Sequence, residues 1–254
     1  MTKKTVFITG ATSGIGKACA YQFGANDYRL ILTGRRADRL ELIQADLQKK
    51  FGTEVLTLNF DVRNKNQVKD AVDSLAKEWQ VIDILINNAG LAVGLNRIQD
   101  GELDDWERMI DTNIKGLLYI TRAISPRMVA QKSGHIINIG SIAGKETYAF
   151  GNVYCATKHA VDSLSKAMRI DMVEYGIKVT QIAPGAVETE FSNVRFKGDD
   201  AKADGIYNGF EPLHPEDIAD AAFYCANLPA HVNINDLLIM PTAQANSGII
   251  HKKL

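Results

Sequence analysis

Tyr154 and Lys158 are the residues whose types and spacing most directly suggest chemistry, because they lie four apart in Tyr154-Cys-Ala-Thr-Lys158. On a helix, that spacing puts a phenol and an ammonium on one face. A free phenol has a pKa of about 10, and a nearby cation favours the phenolate. The pair therefore predicts a proton-transfer site at neutral pH. A short motif also arises by chance, so other parts of the chain must support it.

A glycine-rich loop near the N-terminus is the second chemical feature, with the sequence Thr9-Gly10-Ala-Thr-Ser13-Gly14-Ile15-Gly16. Its GxxxGxG spacing differs from the GxGxxG of the commonest dinucleotide fingerprint. Glycines still let the backbone turn tightly, and the helix that follows presents free N–H groups to a pyrophosphate. The alternative is a plain turn. Its position between the first strand and the first helix favours a dinucleotide loop.

Two arginines indicate which dinucleotide is bound. An enzyme that prefers NAD usually carries Asp or Glu at the end of the second strand, where it holds the ribose 2′-hydroxyl. Here the strand ends in Gly34-Arg35-Arg36 and has no carboxylate. A guanidinium can donate two parallel hydrogen bonds to a phosphate. Arg35 and Arg36 therefore predict NADP, with a solvated helix start as the alternative.

These residues need elements to position them, and the sequence alternates short β-branched runs with longer helical patterns, as expected for an α/β fold with a parallel sheet covered by helices. Seven strands are predicted, several of them almost continuously apolar as strands buried on both faces should be. They are Thr5–Thr9, Arg29–Thr33, Val55–Phe60, Ile82–Asn87, His135–Ile139, Lys178–Ala183 and Leu237–Met240.

Six helices are predicted between the strands: Gly14–Ala25, Asp38–Phe51, Asn64–Trp79, Asp104–Gln131, Tyr154–Tyr175 and Pro215–Leu228. One region lacks periodicity, from Glu190 to about His214. A loop of that length inside a compact domain is usually functional or disordered. We therefore predict a substrate loop at about 190–214.

Composition restricts the class of partner. The chain has 254 residues, 46% of them hydrophobic, and a net charge of −1, so no nucleic acid partner is expected. No apolar run approaches the roughly 18 residues of a membrane span, so no membrane association is expected. The three cysteines form no CxxC and the five histidines no HxxxH, so no metal site is predicted. A cytoplasmic location is expected from this cysteine usage.

Five separated motifs occur in an order that resembles the short-chain dehydrogenase/reductase family, over nearly the whole chain. They are the glycine loop, Asn87-Asn88-Ala89-Gly90, Asn113, Ser141 with Tyr154-Cys-Ala-Thr-Lys158, and Pro184-Gly185. The resemblance implies one catalytic domain over 1–254, a Rossmann fold with a doubly wound seven-stranded parallel sheet. Nucleotide and substrate would then meet at the carboxyl ends of the strands.

The resemblance also implies catalytic roles. Ser141 would hydrogen-bond the substrate oxygen, and Tyr154 would exchange a proton with it. Lys158 would lower the pKa of Tyr154 and bind the nicotinamide ribose, while Asn113 would help hold a water that connects Lys158 to solvent. The alternatives are a turn serine, a helix irregularity and a surface lysine. The implied cofactor contacts are Gly10, Thr12, Ser13, Gly14, Ile15, Gly16, Arg35, Arg36, Asp61, Val62, Asn88, Ala89, Gly90, Tyr154, Lys158, Pro184, Gly185, Val187 and Thr189.

The C-terminal third carries a narrower resemblance, through Glu190–Asp200, Leu228–Asn235 and Met240-Pro241. These segments look like the branch that oxidises 3-hydroxy acids, including L-serine and L-allo-threonine, or reduces malonic semialdehyde. Arg195 lies in the irregular segment, and we predict that it binds the substrate carboxylate, while Ser141 and Tyr154 contact the reacting substrate oxygen. The alternative is a solvated charge or a subunit contact.

Two other functions remain open at this stage. The first is a reductase of the same family that acts on another carbonyl, such as an acyl-linked ketone, a quinone or a sugar. The second is a non-catalytic module that senses NADP; such a module would show a degraded catalytic set, whereas all four catalytic residues are present here. The family resemblance also implies a homotetramer.

Overall fold

Seven parallel strands form the centre of the molecule, whose computed structural model describes residues 3–198 and 205–253. The spatial order is β3-β2-β1-β4-β5-β6-β7, with every neighbouring pair parallel. The order reverses between β1 and β4, which creates the crevice where such sheets bind ligands. The strands are β1 Thr5–Ile8, β2 Arg29–Gly34, β3 Val55–Asn59, β4 Ile84–Asn87, β5 Gly134–Ile139, β6 Ile177–Pro184 and β7 Asp236–Ile239. The predicted doubly wound fold is confirmed.

Between the strands, the described residues form eight α-helices. They are α1 Gly14–Gly24, α2 Ala37–Phe51, α3 Lys65–Asp73, α4 Leu103–Ile110, α5 Leu117–Gln131, α6 Asn152–Met172, α7 Phe191–Arg195 and α8 Pro215–Ala226. Within the described ranges, none of them is long and apolar enough to cross a membrane.

The core has two layers, one on each face of the sheet. Side chains of α1, α2 and α8, such as Phe23, Leu47 and Ile218, pack on one face. Side chains of α3, α5 and α6, such as Val72 and Ile124, pack on the other. A fully buried side chain of this size contributes about 1.5–3 kcal/mol, so both layers stabilise the sheet edge that carries the site.

Two of the helices were predicted as continuous, and this was wrong. The helix predicted over Asn64–Trp79 ends at Asp73, where the Ser74 hydroxyl donates to the carbonyl of Ala71 at 2.9 Å and Leu75 enters the core. A separate 3₁₀ turn then covers Lys77–Trp79. The helix predicted over Asp104–Gln131 contains a π-helical turn at Asp111–Gly116. A single hydrophobic period cannot reveal such a turn, because the apolar spacing continues through it.

The predicted 190–214 loop also needs correction. Glu190 is followed at once by α7, a single short helix that runs from Phe191 to Arg195. A parallel bridge joins Val187 to Leu213, so the two ends of the loop lie together. Residues 199–204 of this loop lie outside the described residues. Five residues of helix are too few for periodicity to detect.

Candidate active site

The glycine loop passes close to the end of β4. Gly10 has φ +66°, in the left-handed region that favours glycine. The Asn88 side chain donates to the carbonyls of Thr9 and Gly10, at 2.9 and 3.1 Å. A Cβ on Gly16 would lie 2.4 Å from both the Asn88 side-chain nitrogen and the Gly10 carbonyl oxygen. Glycine at position 16 therefore lets α1 begin directly against the loop.

A cleft of about 350 Å³ opens above this loop and continues along the carboxyl ends of the strands. All of the cofactor contacts proposed from the sequence line it except Gly16, which lies beneath the loop. The start of α1 has no side-chain cap and no acidic residue in its first turn, so its N–H groups and dipole favour an anion. Loop and helix start together fit a dinucleotide pyrophosphate.

Positive charge surrounds the end of β2. Arg36 donates to the hydroxyls of Thr12, at 2.8 and 3.0 Å, and Ser13, at 2.8 Å. Arg35 lies 4.0 Å from the carboxylate of Asp61 and is more than half exposed. Both guanidiniums line the cleft, as the sequence predicted for a 2′-phosphate site.

Asp61, at the end of β3, is held by Arg63, whose guanidinium lies 2.6 Å from the carboxylate. Burial alone would raise the pKa of Asp61, but the hydrogen bonds from Arg63 prevail and lower it. The carboxylate is thus fixed at the wall of the cleft, with Val62 beside it.

Ser141 and Tyr154 meet at the other end of the cleft. Ser141 caps the 3₁₀ turn after β5, and its hydroxyl accepts a hydrogen bond from the Ala143 N–H at 3.1 Å. Tyr154 lies in the first turn of α6 and is only 8% exposed. Burial raises its pKa, as does the electrostatic influence of Tyr148, while the Ser141 hydrogen bond and the Arg195 charge oppose the rise. The phenol is therefore protonated at neutral pH in this structure.

Lys158 follows one turn later on the same helix, as the spacing predicted. Its ammonium donates to the carbonyl of Ile139 at 3.0 Å and lies 5.9 Å from the centre of the Tyr154 ring. Burial lowers the pKa of Lys158 to about 8. The expected lowering of the Tyr154 pKa by Lys158 is not found: burial raises this pKa, and the opposing effects come from Ser141 and Arg195.

Asn113 lies at the centre of the π-helical turn and is buried. Its amide exchanges two hydrogen bonds with the backbone of Leu91, each 2.8 Å long, and also donates to the Thr157 hydroxyl at 3.0 Å. The side chain thus joins the segment after β4 to α6, next to Lys158. Within the described residues, both amide hydrogens are donated to protein groups, and Oδ1 accepts from the Leu91 N–H.

Arg195, on α7, lies against the ring of Tyr154. Its guanidinium carbon lies 5.6 Å from the centre of the Tyr154 ring and 5.4 Å from that of Tyr148. It donates to the Tyr148 hydroxyl at 2.6 Å. In the part of the chain that the structure describes, the buried Nε of Arg195 has no hydrogen-bond partner.

Sequence reasoning missed three neighbours of the site. Tyr148 orients Arg195, and Phe191 packs edge-on against Tyr154 with ring centres 5.7 Å apart. Glu190 forms ion pairs with Arg36 and with Arg39. Nothing local marks these residues, because the partners in these contacts lie between 37 and 154 positions away along the chain.

A doubly wound parallel sheet with a glycine loop at its switch point, a cleft along the strand ends and a Ser-Tyr-Lys set defines a nucleotide-dependent oxidoreductase. A family model described as short chain dehydrogenase matches residues 4–200. The chain belongs to the short-chain dehydrogenase family and is an enzyme.

Close relatives are similar along their whole length. The NADP-dependent 3-hydroxy acid dehydrogenase YdfG of Salmonella typhi is 49% identical over 249 residues, covering 97% of this chain and 99% of the relative. The NADP-dependent 3-hydroxy acid dehydrogenase of Schizosaccharomyces pombe is 42% identical and covers 98% and 97%. Among solved structures, the closed form of serine dehydrogenase complexed with NADP⁺ has a TM-score of 0.91 and 47% identity, and covers 98% and 100%.

Proposed function

We propose that this chain is an NADP-dependent dehydrogenase that interconverts a small 3-hydroxy acid and its carbonyl form. The substrate class includes L-serine, L-allo-threonine and 3-hydroxypropionate with malonic semialdehyde. The observation that carries the proposal is the position of Arg195, a cation against the Tyr154 ring whose buried Nε has no hydrogen-bond partner among the residues that the structure describes. A buried unsatisfied donor is costly, so such a group suits an anionic ligand.

The cofactor is assigned from charge and from relatives that use NADP. Arg35 and Arg36 supply cations at the end of β2, and the carboxylate of Asp61 is already held by Arg63. When bound, NADP accepts a hydride from the alcohol carbon, or donates one to the carbonyl as NADPH. The glycine loop, Asp61, Val62, Asn88, Ala89, Gly90 and the Pro184–Thr189 segment would hold it.

The protein's own residues would handle the proton and the orientation. The Ser141 hydroxyl would donate to the substrate oxygen, and Tyr154 would give that oxygen a proton during reduction or take one during oxidation. Because burial keeps the phenol protonated, the free enzyme is prepared for reduction. Lys158 would bind the ribose hydroxyls, and Asn113 would keep the Leu91 segment in register with α6.

Arg195 would set substrate choice. A guanidinium can grip a carboxylate with two parallel hydrogen bonds, and this would orient the hydroxyl-bearing carbon between Ser141 and Tyr154. Tyr148 would hold the guanidinium in place, since its hydroxyl already accepts a hydrogen bond from Arg195. For serine and threonine, the product is an α-amino-β-keto acid, which can lose carbon dioxide without further help.

The deciding experiment is a steady-state panel of L-serine, L-allo-threonine, 3-hydroxypropionate and malonic semialdehyde, each with the NADP and NAD forms of the cofactor. We expect the highest kcat/KM for carboxylate-bearing substrates with the phosphorylated cofactor. Methyl esters of the same hydroxy acids are the matched controls, because they keep the alcohol and lose the charge. Higher efficiency on a ketoacyl, quinone or sugar substrate would overturn the substrate assignment.

We further propose a cytoplasmic homotetramer. Three apolar side chains on α5, α6 and the turn after α6 are exposed, Leu118, Ile170 and Val173, at 38%, 75% and 70%. Burying them between subunits would remove an energetic cost. Cys19, Cys155 and Cys225 are free and buried, which suits a reducing compartment. Light scattering coupled to size-exclusion chromatography would test the assembly, and a monomer would overturn it.

A further inference from the structure

The carboxylate of Glu190 lies between two guanidiniums at the end of β2. It accepts a hydrogen bond from Arg36 at 2.9 Å. It also accepts two from Arg39, at 2.7 and 3.0 Å. Glu190 comes from the segment after β6, more than 150 positions along the chain from both arginines. The contact is therefore a tertiary one, made across the mouth of the cleft.

This position coincides with the phosphate site of the proposed function. Arg36 also donates to the hydroxyls of Thr12 and Ser13, which places its guanidinium over the glycine loop. Glu190 itself lines the cleft. A carboxylate and a phosphate offer the same kind of acceptor oxygens to a guanidinium fork. The structure thus already contains an anion where a ribose 2′-phosphate would make its ion pairs.

We propose that Glu190 is the resident anion of a 2′-phosphate site formed by Arg36 and Arg39, and that carboxylate and phosphate compete for these guanidiniums. The inference rests on the proposed use of NADP. It assigns Arg39, in the first turn of α2, as a further residue that selects the phosphorylated cofactor. It also makes Glu190 a residue that weakens cofactor binding.

The competition persists at neutral pH. Burial favours the neutral acid, but the hydrogen bonds from Arg36 and Arg39 prevail and lower the pKa of Glu190. The carboxylate and both arginines are 39–50% exposed, so solvent screens the pairs. A doubly charged phosphate, which offers three acceptor oxygens, can therefore displace the carboxylate.

Release of Glu190 from the two arginines would also affect the substrate end of the cleft. Glu190 is the residue before α7, and the next residue, Phe191, packs against the Tyr154 ring. The same helix ends at Arg195. Binding of the phosphate would thus free the N-terminal end of α7 from Arg36 and Arg39. This helix carries Arg195, the proposed carboxylate-binding residue.

Calorimetric titration with two nucleotides tests this without any turnover: adenosine 2′,5′-bisphosphate and adenosine 5′-monophosphate differ only in the 2′-phosphate. For Glu190→Gln, we expect the bisphosphate to bind about threefold to tenfold more tightly, a gain of about 0.7–1.4 kcal/mol. For Arg39→Ala, we expect its binding to weaken about fivefold to twentyfold. The monophosphate should change by less than about twofold in both variants.

Two matched controls separate the site from general charge effects. Glu41→Gln removes a negative charge from α2, at a carboxylate with no ion pair among the described residues. Lys49→Ala removes a positive charge from the last turn of that helix. Neither should change the ratio of the two affinities. Glutamine at position 190 leaves α7 intact, since the Glu190 side chain forms no helix-cap hydrogen bond.

Each outcome has a distinct meaning. If the wild-type protein binds both nucleotides equally, the proposed NADP preference fails and the inference fails with it. If the wild type prefers the bisphosphate but Glu190→Gln binds it no more tightly, competition is refuted and the NADP assignment stands. Equal tightening for both nucleotides also refutes competition. An unchanged bisphosphate affinity in Arg39→Ala removes Arg39 from the site.

Discussion

The guanidinium of Arg195 lies 5.6 Å from the centre of the Tyr154 ring, and its Nη2 donates to Tyr148 at 2.6 Å. A permanent charge thus lies against the Tyr154 ring, which lines the cleft. Arg195 lowers the pKa of Tyr154 against the larger effect of burial. Removing it should therefore affect both substrate binding and the proton step.

For Arg195→Ala, we expect the KM for 3-hydroxy acids to rise about tenfold to hundredfold, because a charge-assisted hydrogen-bond pair to the carboxylate is lost. Uncharged methyl esters of the same acids should show little change. Steady-state kinetics on acid and ester pairs would measure this. Arg195→Lys is the control that keeps the charge and loses the planar fork, and it should fall between the two. Equal losses on acid and ester would refute carboxylate binding.

For Tyr154→Phe, we expect kcat to fall by about 10²-fold or more, since general acid/base catalysis by a positioned side chain contributes that much. The ring contact with Phe191 needs no hydroxyl, so the fold and cofactor affinity should persist. Single-turnover oxidation of NADPH would measure the rate, and fluorescence titration the affinity. Turnover at the wild-type rate would rule out Tyr154 as the proton donor.

Burial of the charged Lys158 side chain should lower the free energy of unfolding near neutral pH. Burial lowers the pKa of Lys158 in the folded state to about 8, from 10.5 for an exposed lysine. Between these values the unfolded chain keeps a proton that the folded chain releases, so this group makes stability rise with pH. The penalty at pH 7 is about 3 kcal/mol.

Urea unfolding of the wild type and of Lys158→Met would show it. We expect the unfolding free energy of the wild type, relative to that of the variant, to increase by about 3 kcal/mol between pH 7 and pH 10.5. Lys49→Met, at an exposed position on α2, should show no such trend. A difference that stays constant with pH would contradict the buried, deprotonating lysine.

His135 should make the protein sensitive to acid. Burial lowers its pKa to about 3 from 6.5, and its ring bonds the Thr180 hydroxyl at 2.8 Å. Below pH 6.5 the His135 ring is protonated in the unfolded chain but stays neutral in the folded chain. The stability that is present above that pH is therefore lost as the pH falls. We expect the wild type to lose about 2 kcal/mol relative to His135→Gln between pH 7 and pH 5. Parallel pH profiles from urea unfolding would contradict this.

Local signals in the sequence determined the sheet and the glycine loop. Apolar runs rich in β-branched residues mark short strands that are buried on both faces. Each end of the seven predicted strands therefore lies within two residues of the observed end. The loop was recognised because backbone geometry there requires glycine. The π-helical turn at 111–116 could not be predicted, because the apolar spacing continues through it and its hydrogen bonds to Leu91 are tertiary. The five residues of α7 are too few for periodicity to detect.

The sequence by itself determined which side chains were available: a phenol and an ammonium one turn apart, two arginines after the second strand, and a further arginine in an irregular segment. Only the tertiary structure decided their environments. Desolvation raised the pKa of Tyr154 and lowered that of Lys158. Chain crossing brought Glu190 to Arg36 and Arg39, and Arg195 to Tyr154. Burial and long-range charge depend on distances through space, and a linear sequence does not contain them.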